Sequence, residues 1–366
     1  MKKVRSANLR IPGPTPLPPE VLKILSSQMI NHRGKGYEAI HSRVIENLKY
    51  FFQTKNDIFL ITASGMGGLE SAVVNFFSPG DKIVSFTCGE FGNRWADVAR
   101  AFSAEVFQVR FPSGKSVDKD EIYRVLEQNP DAKGVLFTLN ETATGVLNKV
   151  ADFAPFVHKH KNKPLLLVDA ISSLGAVDFP MDEVGVDVLV TASQKAWMAP
   201  PGFAMVAVSP KAWDRHFIAK VPRYYFDLSQ FKKFAEKNQT PATPAVTTLY
   251  GLDIGLQLMR KEGREKIFRR HLAFRDYVRQ EIKKMGLELF VSEDDASPTV
   301  TSIKVPAGVD NHEWLKILRE KYGLVMAGGM GDVKEKIVRI AHMGYVNKED
   351  LDEALKAIKN SLKDIK

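Results

Sequence analysis

The chain has 366 residues, 44% of them hydrophobic, and its 52 Lys and Arg against 43 Asp and Glu leave a formal charge of +9. It can bury a large core and points to two domains. Its basic residues are dispersed in short clusters such as Lys159-His160-Lys161, which argues against a nucleic-acid footprint while favouring anionic cofactors and substrates. A single cysteine, Cys88, excludes a disulfide framework or cysteine metal cluster, and with no signal-peptide core in residues 1–7 and no membrane-spanning stretch the expectation is a soluble cytoplasmic protein.

The first twenty residues, including Ile11-Pro12-Gly13-Pro14-Thr15-Pro16-Leu17-Pro18-Pro19, are too rich in proline for helix or central strand and should run extended over another surface. A helical pattern follows from Glu38 to Phe52. Then short apolar runs alternate with helical ones. The strand-like runs are Ile58–Thr62, Lys82–Thr87, Glu105–Arg110, Gly134–Leu139, Leu165–Val168, Val186–Val190 and Phe203–Val208. The helical runs between them are Gly68–Phe77, Arg94–Phe102, Lys119–Gln128 and Ala151–His160. Continuous apolar strands alternating with helices predict a mostly parallel α/β sheet covered on both faces. Only a proline-rich turn joins the last two strands, which predicts one antiparallel edge strand. From about Leu252 a long helical run to Met285 leads to Leu289–Ser292, Thr299–Val305, a helix Asn311–Tyr322, strands near Val325 and Ile337–Ala341, and a last helix Lys348–Lys363. That is the pattern of a smaller α+β domain, giving an extended segment 1–16, a large domain 17–252 and a small domain 253–366.

In such sheets ligands sit at the carboxyl ends of the strands. Ser64-Gly65, Asn140-Glu141-Thr142, Asp169 and Lys195 all follow strand-like runs. Lys195 lies between a buried strand and Met198-Ala199-Pro200-Pro201-Gly202, where burial disfavours its charged form and frees the amine for a Schiff base. Ala63-Ser64-Gly65-Met66-Gly67-Gly68 is a strand-to-helix turn whose free N–H groups suit a phosphate, although it is neither a Walker loop nor a dinucleotide fingerprint. Asp169, straight after a buried strand, needs a partner: a cap for Ser172 or Ser173, or a buried cation such as a protonated pyridine nitrogen, with Ile171 packing on the ring. An aldehyde-trapping lysine, a pyridinium counter-ion and a phosphate cradle together meet the requirements of a pyridoxal phosphate site.

The motifs Pro12-Gly13-Pro14-Thr15, Ser64-Gly65-Met66-Gly67, Phe91-Gly92-Asn93-Arg94, Glu141-Thr142-Ala143-Thr144-Gly145-Val146, Leu167-Val168-Asp169-Ala170-Ile171-Ser172-Ser173, Ser193-Gln194-Lys195, Thr243-Pro244-Ala245-Val246 and Val338-Arg339-Ile340 follow one another in order. In them the chain resembles a class V aminotransferase of the alanine–glyoxylate / serine–pyruvate group, within the fold-type I pyridoxal phosphate superfamily. The resemblance implies a seven-stranded large-domain sheet, pyridoxal 5'-phosphate as cofactor, and a homodimer with shared active sites. It implies that Lys195 forms the internal Schiff base and carries the proton between Cα and the cofactor, and that Asp169 keeps the ring nitrogen protonated. Ser64, Gly65 and Met66 would hold the phosphate with Gln194 close by, Phe91 and Ile171 would sandwich the ring, and Thr142 would hydrogen-bond near it. Thr243 would reach the phosphate of the other subunit; three residues before it Thr240 replaces the tyrosine of some relatives. Gly13 and Arg339 would bind the substrate α-carboxylate.

One carboxylate-binding arginine favours a small donor, alanine or serine, with glyoxylate or pyruvate as acceptor in a ping-pong cycle. The alternatives are 2-aminoethylphosphonate–pyruvate or phosphoserine chemistry using Arg33 or Arg94 for a second anion, a PLP lyase such as a desulfurase, for which Cys88 is poorly placed, and a non-catalytic binding dimer. His32 and Arg33 are read as surface residues near the site mouth.

Overall fold

The computed structural model describes residues 7–365, so part of the extended segment 1–16 lies outside the described residues. Seven strands form the main sheet: β1 (Asp57–Thr62), β2 (Lys82–Thr87), β3 (Glu105–Arg110), β4 (Gly134–Thr138), β5 (Leu165–Asp169), β6 (Val188–Ala192) and β7 (Phe203–Val208). Their spatial order is β1-β7-β6-β5-β4-β2-β3. Alternate side chains of each strand enter two different cores, so both faces are apolar. Ile61, Ile83, Leu136, Leu167, Val190 and Val206 meet helices α2 (Gly65–Phe76) and α3 (Glu90–Ala101). Leu60, Phe86, Phe137, Leu166, Leu189 and Met205 face the other side. That side is covered by α1 (Lys35–Phe52), α4 (Lys119–Gln128), α5 (Val150–Lys159) and α6 (Val246–Glu262).

The antiparallel strand is β7, but it is not at an edge. It pairs antiparallel with β6 on one side (Ala204 opposite Ala192) and with β1 on the other (Phe203 opposite Thr62). The short proline turn lays β7 beside β6, and β1 closes its open side. The edges are β1 and β3. Edge strand β3 alternates exposed and half-buried residues along most of its length and carries Glu105 and Arg110 at its ends, which suits an unpaired rim. At β1, Asp57 accepts from Trp213 Nε1 (3.0 Å) and Lys232 Nζ (3.0 Å), which tie later segments over the rim.

The long helical run ending near Met285 is two helices, α6 and α7 (Arg264–Lys284), separated by Gly263 at φ +86°. Beyond it β8 (Val300–Lys304), β9 (Ala327–Gly328) and β10 (Ile337–Ala341) form an antiparallel sheet with β10 in the centre. Helices α8 (Asn311–Tyr322) and α9 (Lys348–Ser361) pack on it with the end of α7, through Trp314, Leu318, Val338, Ile340, Leu355 and Ile358. The expected strand Leu289–Ser292 is reduced to a bridge between Leu289 and Ile303, plus Phe290 N–H donating to Ser302. At the N-terminal end, Asn8–Leu9 pairs in parallel with Leu324–Val325, and Arg10 O accepts from Ala341 N–H (2.8 Å). The proline-rich stretch is therefore a strap between the small sheet and the Gln194–Lys195 loop, with Thr15 N–H donating to Gln194 O. Its last residues differ from the expectation: Pro19–Ile24 is a short helix, with Pro19 at the first position, where a missing N–H costs nothing.

Candidate active site

The carboxyl ends of the parallel strands lie on one side of the sheet, and a cavity of about 210 Å³ opens there. Nine of the expected residues line it: Ser64, Gly65, Met66, Phe91, Thr142, Asp169, Ile171, Gln194 and Lys195.

Ser64 caps α2 in extended conformation, and its side chain makes no capping hydrogen bond, leaving the hydroxyl free. The first N–H groups of α2 have no partner within the helix. Glycine is required for this close seating. A Cβ on Gly65 would stand 2.6 Å from Ile171 Cδ1, and one on Gly68 would stand 2.8 Å from Val190 and 2.9 Å from Ala204. The helix start is thus lowered onto the strand ends, where it faces the cavity with its positive dipole.

Lys195 lies three residues past β6, and burial lowers its ammonium pKa to about 8; the nearby Asp169 charge opposes that shift and Arg339 adds to it. Its Nζ donates to Pro12 O in the N-terminal strap. Gly13, at φ +120°, arches over the same side chain, and a Cβ there would be 2.7 Å from Lys195 Nζ. Thr15 completes the seat: its N–H donates to Gln194 O (3.1 Å) and its hydroxyl to Lys195 O (2.9 Å).

Asp169 ends β5. It caps neither Ser172 nor Ser173; Oδ1 accepts from Ile171 N–H (2.9 Å). Burial raises its pKa to about 6, partly offset by that bond and by Lys195. A buried carboxylate beside a buried amine in one cavity is the combination that perturbs both, and such pairs concentrate at functional sites. Gln194 Oε1 is buried without a hydrogen-bond partner.

Arg339, in the centre of β10, is 5% exposed. Its Nη1 donates to Thr142 O (2.6 Å) and its Nε to Gly328 O (2.8 Å), joining the small sheet to the cavity wall. Burial lowers its pKa to about 10, with Glu141 opposing. Gly13 and Arg339 do not line the cavity itself; Gly13 borders it through Lys195 and Arg339 through Thr142.

Thr243 is exposed and does not line the cavity of its own chain. Thr240 is buried and bonds Ala242 O (2.8 Å). Arg33 is not a free surface cation: Nη1 bonds Thr240 O (2.5 Å) and Gln239 Oε1 (3.2 Å), and Nη2 bonds Pro241 O (3.0 Å). It shapes the loop before Thr243. Arg94 does line the cavity, where its Nε is paired with Glu90 (2.9 Å). Asn140, expected at a strand end but without a role, also lines the cavity, as do Ser172 and Leu69, which were not expected there. Asn140 was legible as a polar residue after β4. Cys88 is buried against Asn148, and burial pushes its thiol pKa well up, the wrong state for a nucleophile.

An amine, a carboxylate and an open helix N-terminus surround one cavity at the strand ends of a seven-stranded α/β sheet, a set of groups suited to amine and carbonyl chemistry. The sequence matches the family model "Aminotransferase class-V" over residues 8–353, and the chain belongs to that family of aminotransferases. It is 38% identical to the soluble hydrogenase 42 kDa subunit of Anabaena cylindrica, over 94% of this chain and 90% of that protein. It is 36% identical to L-aspartate–glyoxylate aminotransferase of Paracoccus denitrificans, over 91% of this chain and 85% of the relative. The solved alanine–glyoxylate aminotransferase of Nostoc sp. superposes with a TM-score of 0.94 at 27% identity, over 98% of this chain and 96% of that one.

Proposed function

We propose that this aminotransferase uses pyridoxal 5'-phosphate to move the amino group of a small L-amino acid, alanine or serine, to glyoxylate or pyruvate in a ping-pong cycle. The observation that carries the reading is the shared cavity of Lys195, Asp169 and the Ser64–Met66 helix start. The groups present fit such a cofactor: a free Ser64 hydroxyl and helix N–H groups for its phosphate, an unpartnered Gln194 Oε1, and Phe91 and Ile171 for its ring. When bound, the cofactor supplies an aldehyde carbon and an electron-accepting ring.

The chain's own residues do the rest. Lys195 Nζ, partly neutral near pH 8, is the amine that would attach the cofactor's aldehyde, and it would hold and move a proton at the substrate Cα. Asp169, through its buried negative charge, would favour a proton on the ring nitrogen. Arg339 and the Gly13 backbone hold the α-carboxylate, while the strap through Pro12 and Thr15 keeps water from the amine. Thr142, which lines the same cavity, would hydrogen-bond near the ring.

Glyoxylate as acceptor is supported by the names of two relatives with different donors. A small donor is supported by Arg33 being bound within its own chain, which removes one cation from those available to a second acidic group. Arg94, which lines the cavity, favours a second reading in which aspartate or 2-aminoethylphosphonate is the donor. The homodimer belongs to the same proposal: exposed Thr243 would complete the site of a second copy, and Phe217 (76% exposed) and Tyr224 (95% exposed) offer apolar surface for it. So does a cytoplasmic location; no helix among the described residues is long and apolar enough to cross a membrane.

The test is a visible absorption spectrum of the purified protein with pyridoxal phosphate, before and after alanine, serine, aspartate or 2-aminoethylphosphonate. Bleaching of the visible band by alanine or serine is expected. Faster bleaching by aspartate would move the assignment to a dicarboxylic donor, and a protein that never takes up the cofactor would refute the catalytic reading.

A further inference from the structure

Glu141 follows β4 and is fully buried. Its carboxylate makes three hydrogen bonds, all from backbone. Oε2 accepts from Phe91 N–H (3.0 Å) and Gly92 N–H (3.1 Å), and Oε1 accepts from Ala143 N–H (2.9 Å). Phe91 and Gly92 are the second and third residues of α3, whose first N–H groups have no partner within the helix. The residue before that helix is Gly89, which has no side chain to cap it. A Cβ there would stand 2.5 Å from Glu141 Cγ, so the glycine makes room for a cap delivered from another strand.

The same carboxylate organises the opposite wall. Its bond to Ala143 closes a turn around Thr142, and Glu141 O accepts from Gly145 N–H (2.8 Å), fixing the other end of the turn. The Thr142 carbonyl held in that turn receives Arg339 Nη1. One side chain thus spans three parts of the site: the helix start bearing Phe91, the Thr142 turn, and through it the arginine on the small sheet. Its negative charge also favours the buried Arg339 cation.

Burying a carboxylate is unfavourable unless it is paired or well hydrogen-bonded, so a simple cap would be met at lower cost by an asparagine or serine. Burial raises the Glu141 pKa to about 7, aided by Asp169 and resisted by the three backbone donors. An acceptor-only group suits the position, because every partner is an N–H.

We propose that Glu141 is a positioning residue for the transamination site: it clamps the Phe91 face and the Thr142 turn in one geometry and so sets where Arg339 meets the substrate carboxylate. This rests on the cofactor reading above. The experiment compares wild type, Glu141→Gln, Glu141→Ala and the control Glu127→Gln, an exposed residue of α4 outside the cavity, each checked for folding by far-ultraviolet circular dichroism. Three quantities are measured: the Kd for pyridoxal phosphate by equilibrium dialysis, the visible circular dichroism of the bound cofactor, and KM and kcat for the amino donor at saturating cofactor. Glu141→Gln preserves volume but turns an amide NH₂ toward an N–H, and it carries the result if Glu141→Ala does not fold.

The expectation is a cofactor Kd about tenfold weaker, a reduced visible dichroism, and a donor KM raised about tenfold, the change expected from losing one or two charge-assisted bonds. Glu127→Gln should stay within twofold of wild type on all three. Folded Glu141 variants with unchanged Kd, dichroism and KM would overturn the clamp, even if their thermal midpoint falls, because that pattern is structural support alone. Wild-type protein that binds no cofactor would sink the functional reading and the clamp together, so the two failures are distinguishable.

Discussion

At Lys195 the competing influences are all visible: burial lowers the ammonium pKa from 10.5 to about 8, Arg339 pushes the same way, and Asp169 resists. Only the neutral amine attacks an aldehyde, so the rate of cofactor attachment should rise with pH through about 8. The neighbours set the sign of two further changes. Asp169→Asn removes the charge that stabilises the ammonium and should move the midpoint to lower pH. Arg339→Gln removes a like charge and should move it upward. Stopped-flow absorbance after mixing with pyridoxal phosphate reads both midpoints; the same direction of shift in both variants would contradict the assignment. For the substrate, Arg339→Lys keeps the charge and loses the planar fork, so KM for the amino donor should rise about 10- to 100-fold with a smaller fall in kcat. Lys195→Ala should retain noncovalent cofactor that washes out on gel filtration, where wild type keeps it.

At the scale of the element, the site depends on how closely α2 sits on the sheet. Gly68 touches Val190 and Ala204 so tightly that a Cβ has no room. Gly68→Val should lift the helix start and lower stability by about 1–3 kcal/mol, read as a reduced urea midpoint, and should weaken phosphate and cofactor binding with it. The strap behaves similarly. Gly13 arches over Lys195 at a φ that L side chains rarely adopt. Gly13→Ala should leave the sheets folded but displace either the strap or the amine, cutting the attachment rate well below wild type. Helix α3 shows why an element boundary escaped the sequence: it begins at Glu90, four residues before the expected Arg94, because its cap comes from Glu141 and not from a neighbour in the chain.

For the whole molecule the decisive question is assembly. Thr243 lies outside its own cavity, on a loop shaped by the three hydrogen bonds of Arg33. Sedimentation at micromolar concentration should give twice the chain mass, and Thr243→Ala should weaken cofactor binding without changing the pH midpoint of Lys195. A monomer that binds cofactor normally would refute the shared site. The expected division at residue 252 falls inside α6, which packs with the large core, while the small sheet's core takes its residues from Val278 onward. We propose that the boundary lies within α7, whose Ile267 and Phe268 join the large core and whose Val278 and Ile282 join the small one.

The sequence by itself determined the seven strands of the main sheet, most of the helices between them and the polar residues at strand ends, because periodicity and burial are local consequences of side-chain chemistry. It determined that Ser64, Asp169 and Lys195 face one edge, since that follows from strand direction alone. What it left open were contacts between residues distant in the chain. The interior place of β7 depends on β1 pairing across about 140 residues. The seat of Lys195 under Pro12 and Gly13 depends on the strap reaching the small sheet. The reach of Glu141 to Phe91 depends on β4 lying beside β2. Each is decided by which surfaces meet once both faces of the sheet are covered, and no local pattern encodes that choice.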